Sequence, residues 1–155
     1  MALCSGSEHC REDMKLKLAA WKVGEPDSER IINVLIRENF INEKRYAEAY
    51  VKDKFRHNKW GRIKIRAGLR LKKIPAELIN AAIGSIDNET YTNSLREMIS
   101  AHRKSVRAKN QYDLKGKLYR FGLSRGFESD LLYRILSAES ADPDQEGHEG
   151  HQENN

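Results

Sequence analysis

Three stretches of the chain, Leu16 to Leu35, Ile65 to Ile83 and Leu118 to Leu136, align on one another once a one-residue insertion is allowed. Each reads as two short helices across a break, at Val23-Gly24-Glu25-Pro26, Lys73-Ile74-Pro75 and Arg125-Gly126-Phe127. The equivalent positions Gly24, Lys73 and Gly126 are 49 and 53 residues apart, a period of about fifty that identifies a tandem repeat whose units gain stability by packing on their neighbours. Gly24 and Gly126 are expected in the left-handed conformation that ends a helix, and Pro26 and Pro75 in the first turn of the next.

The helix after each break carries an apolar stripe: Ile31, Ile32, Leu35 and Ile36, then Leu78, Ile79, Ala82 and Ile83, then Leu131, Leu132, Ile135 and Leu136. A further helix precedes the second pair, from about Glu43 to His57, and another precedes the third, from about Asn88 to Val106. The expected fold is all-α, an elongated array of tandem three-helix repeats. Residues 1–40 form a first repeat, short enough to be incomplete; 41–86 form the second, 87–138 the third, and 139–155 a disordered acidic tail. Composition agrees: 33% of the residues are charged and 39% hydrophobic, too polar for one thick core.

Charge is concentrated in the repeats. Residues 52–73 hold ten Lys and Arg against Asp53 alone, a net +9 threaded with Phe55, Trp60, Ile63, Ile65, Leu69 and Leu71 at helical spacing. On a helix from Arg62, the side chains of Arg62, Arg66, Arg70 and Lys73 fall within about 80° of one another. Like charges at that spacing are mildly unfavourable, so such a stripe gains nothing for folding and suits an anionic ligand. Lys52, Arg56 and Lys59 on the preceding helix, with Lys64, extend the candidate face. The third unit repeats the theme, because residues 103–125 carry a net +7: Arg103, Lys104, Arg107, Lys109, Lys115, Lys117, Arg120 and Arg125 face Asp113 alone. Two basic units in tandem suit a polyanion. Tyr46, Tyr50, Trp60, Tyr112, Tyr119 and Tyr133 are candidates for stacking on unpaired bases, although a core role competes for each.

The tail residues 139–155 carry six acids and no Lys or Arg, leaving +11 on residues 1–138 out of an overall +5. An acidic tail of this kind could compete with the anionic ligand for the basic face. Its His148 and His151 read as surface residues. Cys4, His9 and Cys10 supply three ligands where a closed zinc site needs about four, so no metal and no cofactor is expected. The absence of a Gly-rich phosphate loop or a nucleophile constellation predicts a binding protein rather than an enzyme. No apolar run reaches the roughly 20 residues of a membrane span, and Met1 to Arg11 lacks signal-peptide character, so a soluble cytoplasmic protein is expected. With no large apolar stripe left over from the repeats, a monomer is expected too.

Several segments together carry a resemblance. They are Asp13-Met14 with Lys17-Leu18 and Trp21; Phe40-Ile41-Asn42-Glu43-Lys44-Arg45-Tyr46-Ala47; Val51-Lys52-Asp53-Lys54-Phe55-Arg56; Trp60-Gly61-Arg62 with Lys64-Ile65; and Arg120-Phe121 followed by Arg125-Gly126-Phe127. In order and spacing the chain resembles the RecX family of bacterial regulatory proteins from Ala2 to Leu136. The resemblance implies a curved, elongated molecule in the groove of the RecA filament on single-stranded DNA, suppressing ATP hydrolysis, strand exchange and coprotease activity in recombination, DNA repair and the SOS response. Two departures stand out. Lys72-Lys73 replaces the common Lys-Gly, which implies about 1 kcal/mol of strain at Lys73 if that position needs positive φ, and Asn42 replaces the usual Asp. The competing expectation is a helix-turn-helix regulator that reads a particular duplex.

Overall fold

A computed structural model of the chain describes residues 8–140. Eight α-helices follow one another: α1 Arg11–Ala20, α2 Glu25–Arg37, α3 Glu43–Arg56, α4 Arg62–Leu71, α5 Ala76–Gly84, α6 Asn88–Arg103, α7 Gln111–Ser124 and α8 Ser129–Ser140. The described residues contain no strand, only an isolated bridge between His9 and Ile41. The fold is the expected all-α array. Cys4, His148, His151 and the tail beyond Ser140 lie outside the described residues.

Helix starts are capped as the sequence dictates. The side chains of Asn42, Asp87 and Asn110 accept from the backbone N–H groups of Arg45, Thr90 and Asp113, satisfying donors that a first turn leaves orphaned. Asn42 therefore caps α3 as the Asp it replaces would. Cys10 caps α1 through Sγ, which accepts from the Asp13 N–H at 3.4 Å.

Five helix ends, those of α1 to α4 and α7, share one stop signal, whereas α5 and α6 end through Ser85 and Lys104 at negative φ. Lys22, Asn39, Lys59, Lys73 and Gly126 all have positive φ, and in each case the next residue donates its N–H back into the helix just ended. Val23, Ile74 and Phe127 reach the carbonyls of Leu18, Leu69 and Gly122, five residues earlier. This corrects the first break: Gly24 has φ −67° at the start of α2, and the left-handed residue is Lys22. Pro26 lies in the first turn of α2, whereas Pro75 stands just ahead of α5. Lys73, with φ 57°, is left-handed as its place in the repeat requires.

The main core runs through α3 to α8 and includes Ile65, Leu69, Ile79, Tyr91, Leu95, Ile99, Leu118, Phe127 and Leu132, together with Cys10 from the first unit. Leu18, Ile32 and Ile41 form a separate small cluster. Among the described residues the first unit has two helices where the others have three, and part of its apolar surface is uncovered: Leu16, Trp21, Ile31, Val34, Ile36 and Phe40 are exposed. At the other end α8 continues two residues past the expected boundary at 138, and Glu139 pairs with Arg103.

The second and third units are clamped where two glycines meet. The Gly61 N–H donates to the Arg125 carbonyl at 2.7 Å, and the Ile63 N–H to the Gly126 carbonyl at 3.0 Å. A Cβ at Gly61 would stand 2.4 Å from the Gly126 oxygen, and one at Gly126 would stand 2.3 Å from Lys64 Cβ, so neither position admits a side chain. The start of α4, which has no side-chain cap of its own, is thus capped by the third unit.

Candidate nucleic-acid interface

The predicted stripe on α4 divides in two. Arg62 turns into the junction: its guanidinium donates to Glu128 Oε2 at 3.0 Å and to Asn88 Oδ1 at 2.7 Å, and lies 3.8 Å from the centre of the Tyr91 ring. Its side chain is only 24% exposed. The Tyr91 hydroxyl completes the network, accepting from the Arg62 N–H and donating to Glu128. Burial, reinforced by the bond to Glu128, pushes that phenol well above its ordinary range, so it stays protonated and keeps donating.

The other stripe members face outward. Arg70 is exposed and unpaired among the described residues, and Arg66 reaches Asn80 on α5. Lys73 is exposed and sits 3.7 Å from Glu12. Lys64 and Lys54 lie over the Trp60 ring, at 4.7 and 5.0 Å from its centre, so Trp60 is already occupied by cations. Lys59 is exposed in the left-handed turn after α3. Lys52 and Arg56 line a groove of about 490 Å³ with Arg45 and His57. No described groove holds both the α3 cations and the α4 stripe.

One basic groove lay outside the sequence reading. Between the first and second units a cleft of about 670 Å³ gathers Arg11, Lys15, Lys44, Lys72 and Lys73 around Glu12 and Glu43. Lys72 is held there by Asp13 at 2.6 Å, and that hydrogen bond raises its pKa and keeps it charged. Desolvation raises the Glu43 carboxyl, with Arg11 pulling the other way, and its Oε2 is buried without a partner. The signal was present only as basic residues scattered over α1, α3 and the turn after α4, which no linear window collects.

In the third unit Lys104, Lys115 and Arg120 are exposed. Lys117 is partly used by the fold, donating to the Arg107 carbonyl at 2.6 Å and lying 3.3 Å from Asp113. The backbone N–H of Lys109, then Lys117, hold the Asp113 carboxyl below its usual range. Arg103 pairs with Glu139, and Arg125 lies over Phe121 at 5.2 Å while its carbonyl serves the junction. The aromatic candidates also separate. Tyr46 is buried and Tyr50 packs over Gly68, whereas Tyr112 and Tyr133 are 89% and 70% exposed.

Comparison with known proteins places this architecture. Residues 42–83, which comprise α3 to α5, match the family description "RecX, second three-helix domain". A protein named Regulatory protein RecX from Clostridium acetobutylicum is 31% identical over 130 residues, covering 81% of this chain and 59% of that protein. The namesake from Streptomyces coelicolor is 24% identical and covers 97% of this chain and 82% of its own. The chain spans about three fifths of the clostridial relatives it matches. The crystal structure of RecX from Lactobacillus salivarius superposes with a TM-score of 0.73 at 24% identity, covering 89% of this chain and 90% of that one. A second structure, titled as regulatory protein RecX, gives 0.78 at 22% identity, with coverage of 86% and 66%. Continuous helical order, the repeated stop signal and these likenesses agree: the chain belongs to the RecX family of regulatory proteins.

Proposed function

We propose that this protein binds the RecA filament on single-stranded DNA and restrains RecA's ATP hydrolysis, strand exchange and coprotease activity, acting as a non-enzymatic, cytoplasmic monomer. The observation that carries the reading is the rigid junction. It fixes two basic units at a set spacing, so that Arg66, Arg70 and Lys73 on one and Lys104, Lys115 and Arg120 on the other present cations that folding does not consume fully. A periodic polyanion of protein acids and phosphates matches such an array, and neutralised phosphates would make binding fall steeply with salt. Arg62 has a different part, since it holds the two units together.

A duplex-reading helix-turn-helix fits less well. That mode places the second helix of a pair in the major groove with base-contacting residues near its start. Here α5 carries Glu77 and no Lys or Arg, and the start of α4 is buried against the third unit. The test is strand exchange and DNA-dependent ATPase by RecA with the wild type and with the double variant Arg66→Glu/Arg70→Glu. Both substituted side chains lie outside the core, so the variant should melt as the wild type does while losing inhibition. Undiminished inhibition by the variant would remove the α4 stripe from the interface.

A further inference from the structure

Among the described tyrosines, Tyr112 and Tyr133 stand apart because they are exposed and pair with no other ring. Both open onto one groove of about 510 Å³ on the third unit, with Tyr119, Lys109, Lys115 and Arg120. That volume lies within the range of about 300–1,000 Å³ typical of small-ligand clefts. Tyr119 packs against the main core, which fixes that side of the groove.

The groove is roomier than helix packing requires. Tyr112, Gly116 and Arg120 follow at four-residue spacing on one face of α7, and Gly116 leaves a gap between the ring and the guanidinium. A Cβ at Gly116 would meet only the Arg120 guanidinium, at 3.5 Å, an ordinary contact, so no neighbour demands glycine there. Mid-helix glycine costs about 1 kcal/mol relative to alanine, and here that cost leaves open space beside two bare rings. The charge in the groove is positive. Its one carboxylate, Asp113, is engaged by the Lys109 N–H at 3.0 Å and by Lys117.

Bare aromatic faces flanked by cations, with an intervening gap, fit a ligand that is flat and apolar in one part and anionic in the next. Nucleotides with unpaired bases have that alternation, whereas a duplex hides its base faces in the stack. We infer that this groove is a base-stacking subsite for single-stranded nucleic acid, in which Tyr112 and Tyr133 take unpaired bases and Lys109, Lys115 and Arg120 hold the adjoining phosphates. The assignment deepens the filament reading and rests on it for the presence of a single strand, but its chemistry is testable without RecA.

The experiment is fluorescence anisotropy of the full chain with an end-labelled oligothymidylate, an abasic strand of equal length and charge, and a duplex of equal length, at two salt concentrations. Base stacking predicts that the oligothymidylate binds roughly five- to tenfold more tightly than the abasic strand. Tyr112→Ala and Tyr133→Ala should each remove most of that preference while leaving the salt dependence, set by phosphates, unchanged. Unaltered melting of both variants, expected from their exposure, separates this from misfolding. Equal binding of base-bearing and abasic strands by the wild type would overturn the assignment. So would variants that keep the base preference but lose RecA inhibition, since the rings would then meet protein. Loss of base preference in the variants upholds the subsite even if the wild type leaves RecA untouched, a result that would count against the filament reading alone.

Discussion

Replacing Gly126 by alanine should separate the second and third units. At φ +91° a Cβ carries an intrinsic cost of about 1–2 kcal/mol. The new methyl would also stand 2.3 Å from Lys64 Cβ and 2.6 Å from Lys64 N, and backbone atoms cannot swing aside as a side-chain tip can. Relieving that contact pulls α4 away from the third unit and strains the bonds Gly61 N–H to Arg125 O and Ile63 N–H to Gly126 O, worth about 1 kcal/mol each. The expected loss is about 3–4 kcal/mol. In urea unfolding followed by circular dichroism, with a slope of about 2 kcal/mol/M, the midpoint should fall by roughly 1.5–2 M. Gly84→Ala is the internal control: it sits at the last turn of α5 with open space around it and should stabilise by a few tenths of a kcal/mol. If Gly126→Ala shifted the midpoint no further than about 0.3 M, the two units would not be clamped as described.

Three further outcomes follow from the same contacts. Arg62→Ala should destabilise by about 2 kcal/mol because it strips a half-buried Glu128 of its charged partner, leaving only the Tyr91 hydroxyl, whereas Arg70→Ala should stay within about 0.5 kcal/mol; equal effects in thermal melts would contradict the division of the stripe. Lys73→Gly should stabilise by about 1 kcal/mol, since the exposed contact to Glu12 offsets little of the left-handed strain, and a loss would mean the ion pair outweighs it. Burial pushes the Cys10 thiol up to about 11, so at pH 8 its reaction with a disulfide reagent should run about a hundredfold slower than in the unfolded chain. Burial likewise raises the phenols of Tyr46, Tyr50 and Tyr91. Groups whose folded pKa is raised contribute stability that is complete below their unfolded pKa, so the protein should lose stability as pH climbs above about 9 and continue losing it beyond 11. A flat stability profile across that window would contradict the burial of these groups.

Most of the helical order was legible because it is written locally. The cap at Asn42, the stripe Leu78, Ile79, Ala82, Ile83 and the turn at Gly126 each depend on residues within one or two helical turns. The misplacement of the first stop at Gly24 came from trusting glycine as the signal. The helix stops are better marked by the apolar residue that follows the left-handed one, Val23, Phe40, Trp60, Ile74 or Phe127, and alignment on Val23 would have selected Lys22. What the sequence hid was long-range. Nothing near Arg62 in the chain announces Glu128, 66 residues away, and nothing near Gly61 announces Gly126. The tyrosines were equally ambiguous: Tyr46 and Tyr133 differ little in local pattern, and only packing buries the first while leaving the second in solvent.

The central claim is that the basic units act on the RecA filament, and RecA ATPase on single-stranded DNA, titrated with this protein at two salt concentrations, tests it most directly. Inhibition at less than one protein per RecA, weakened markedly by added salt and absent in Arg66→Glu/Arg70→Glu, is the predicted result. Unchanged ATPase at low salt with the protein in excess would contradict it.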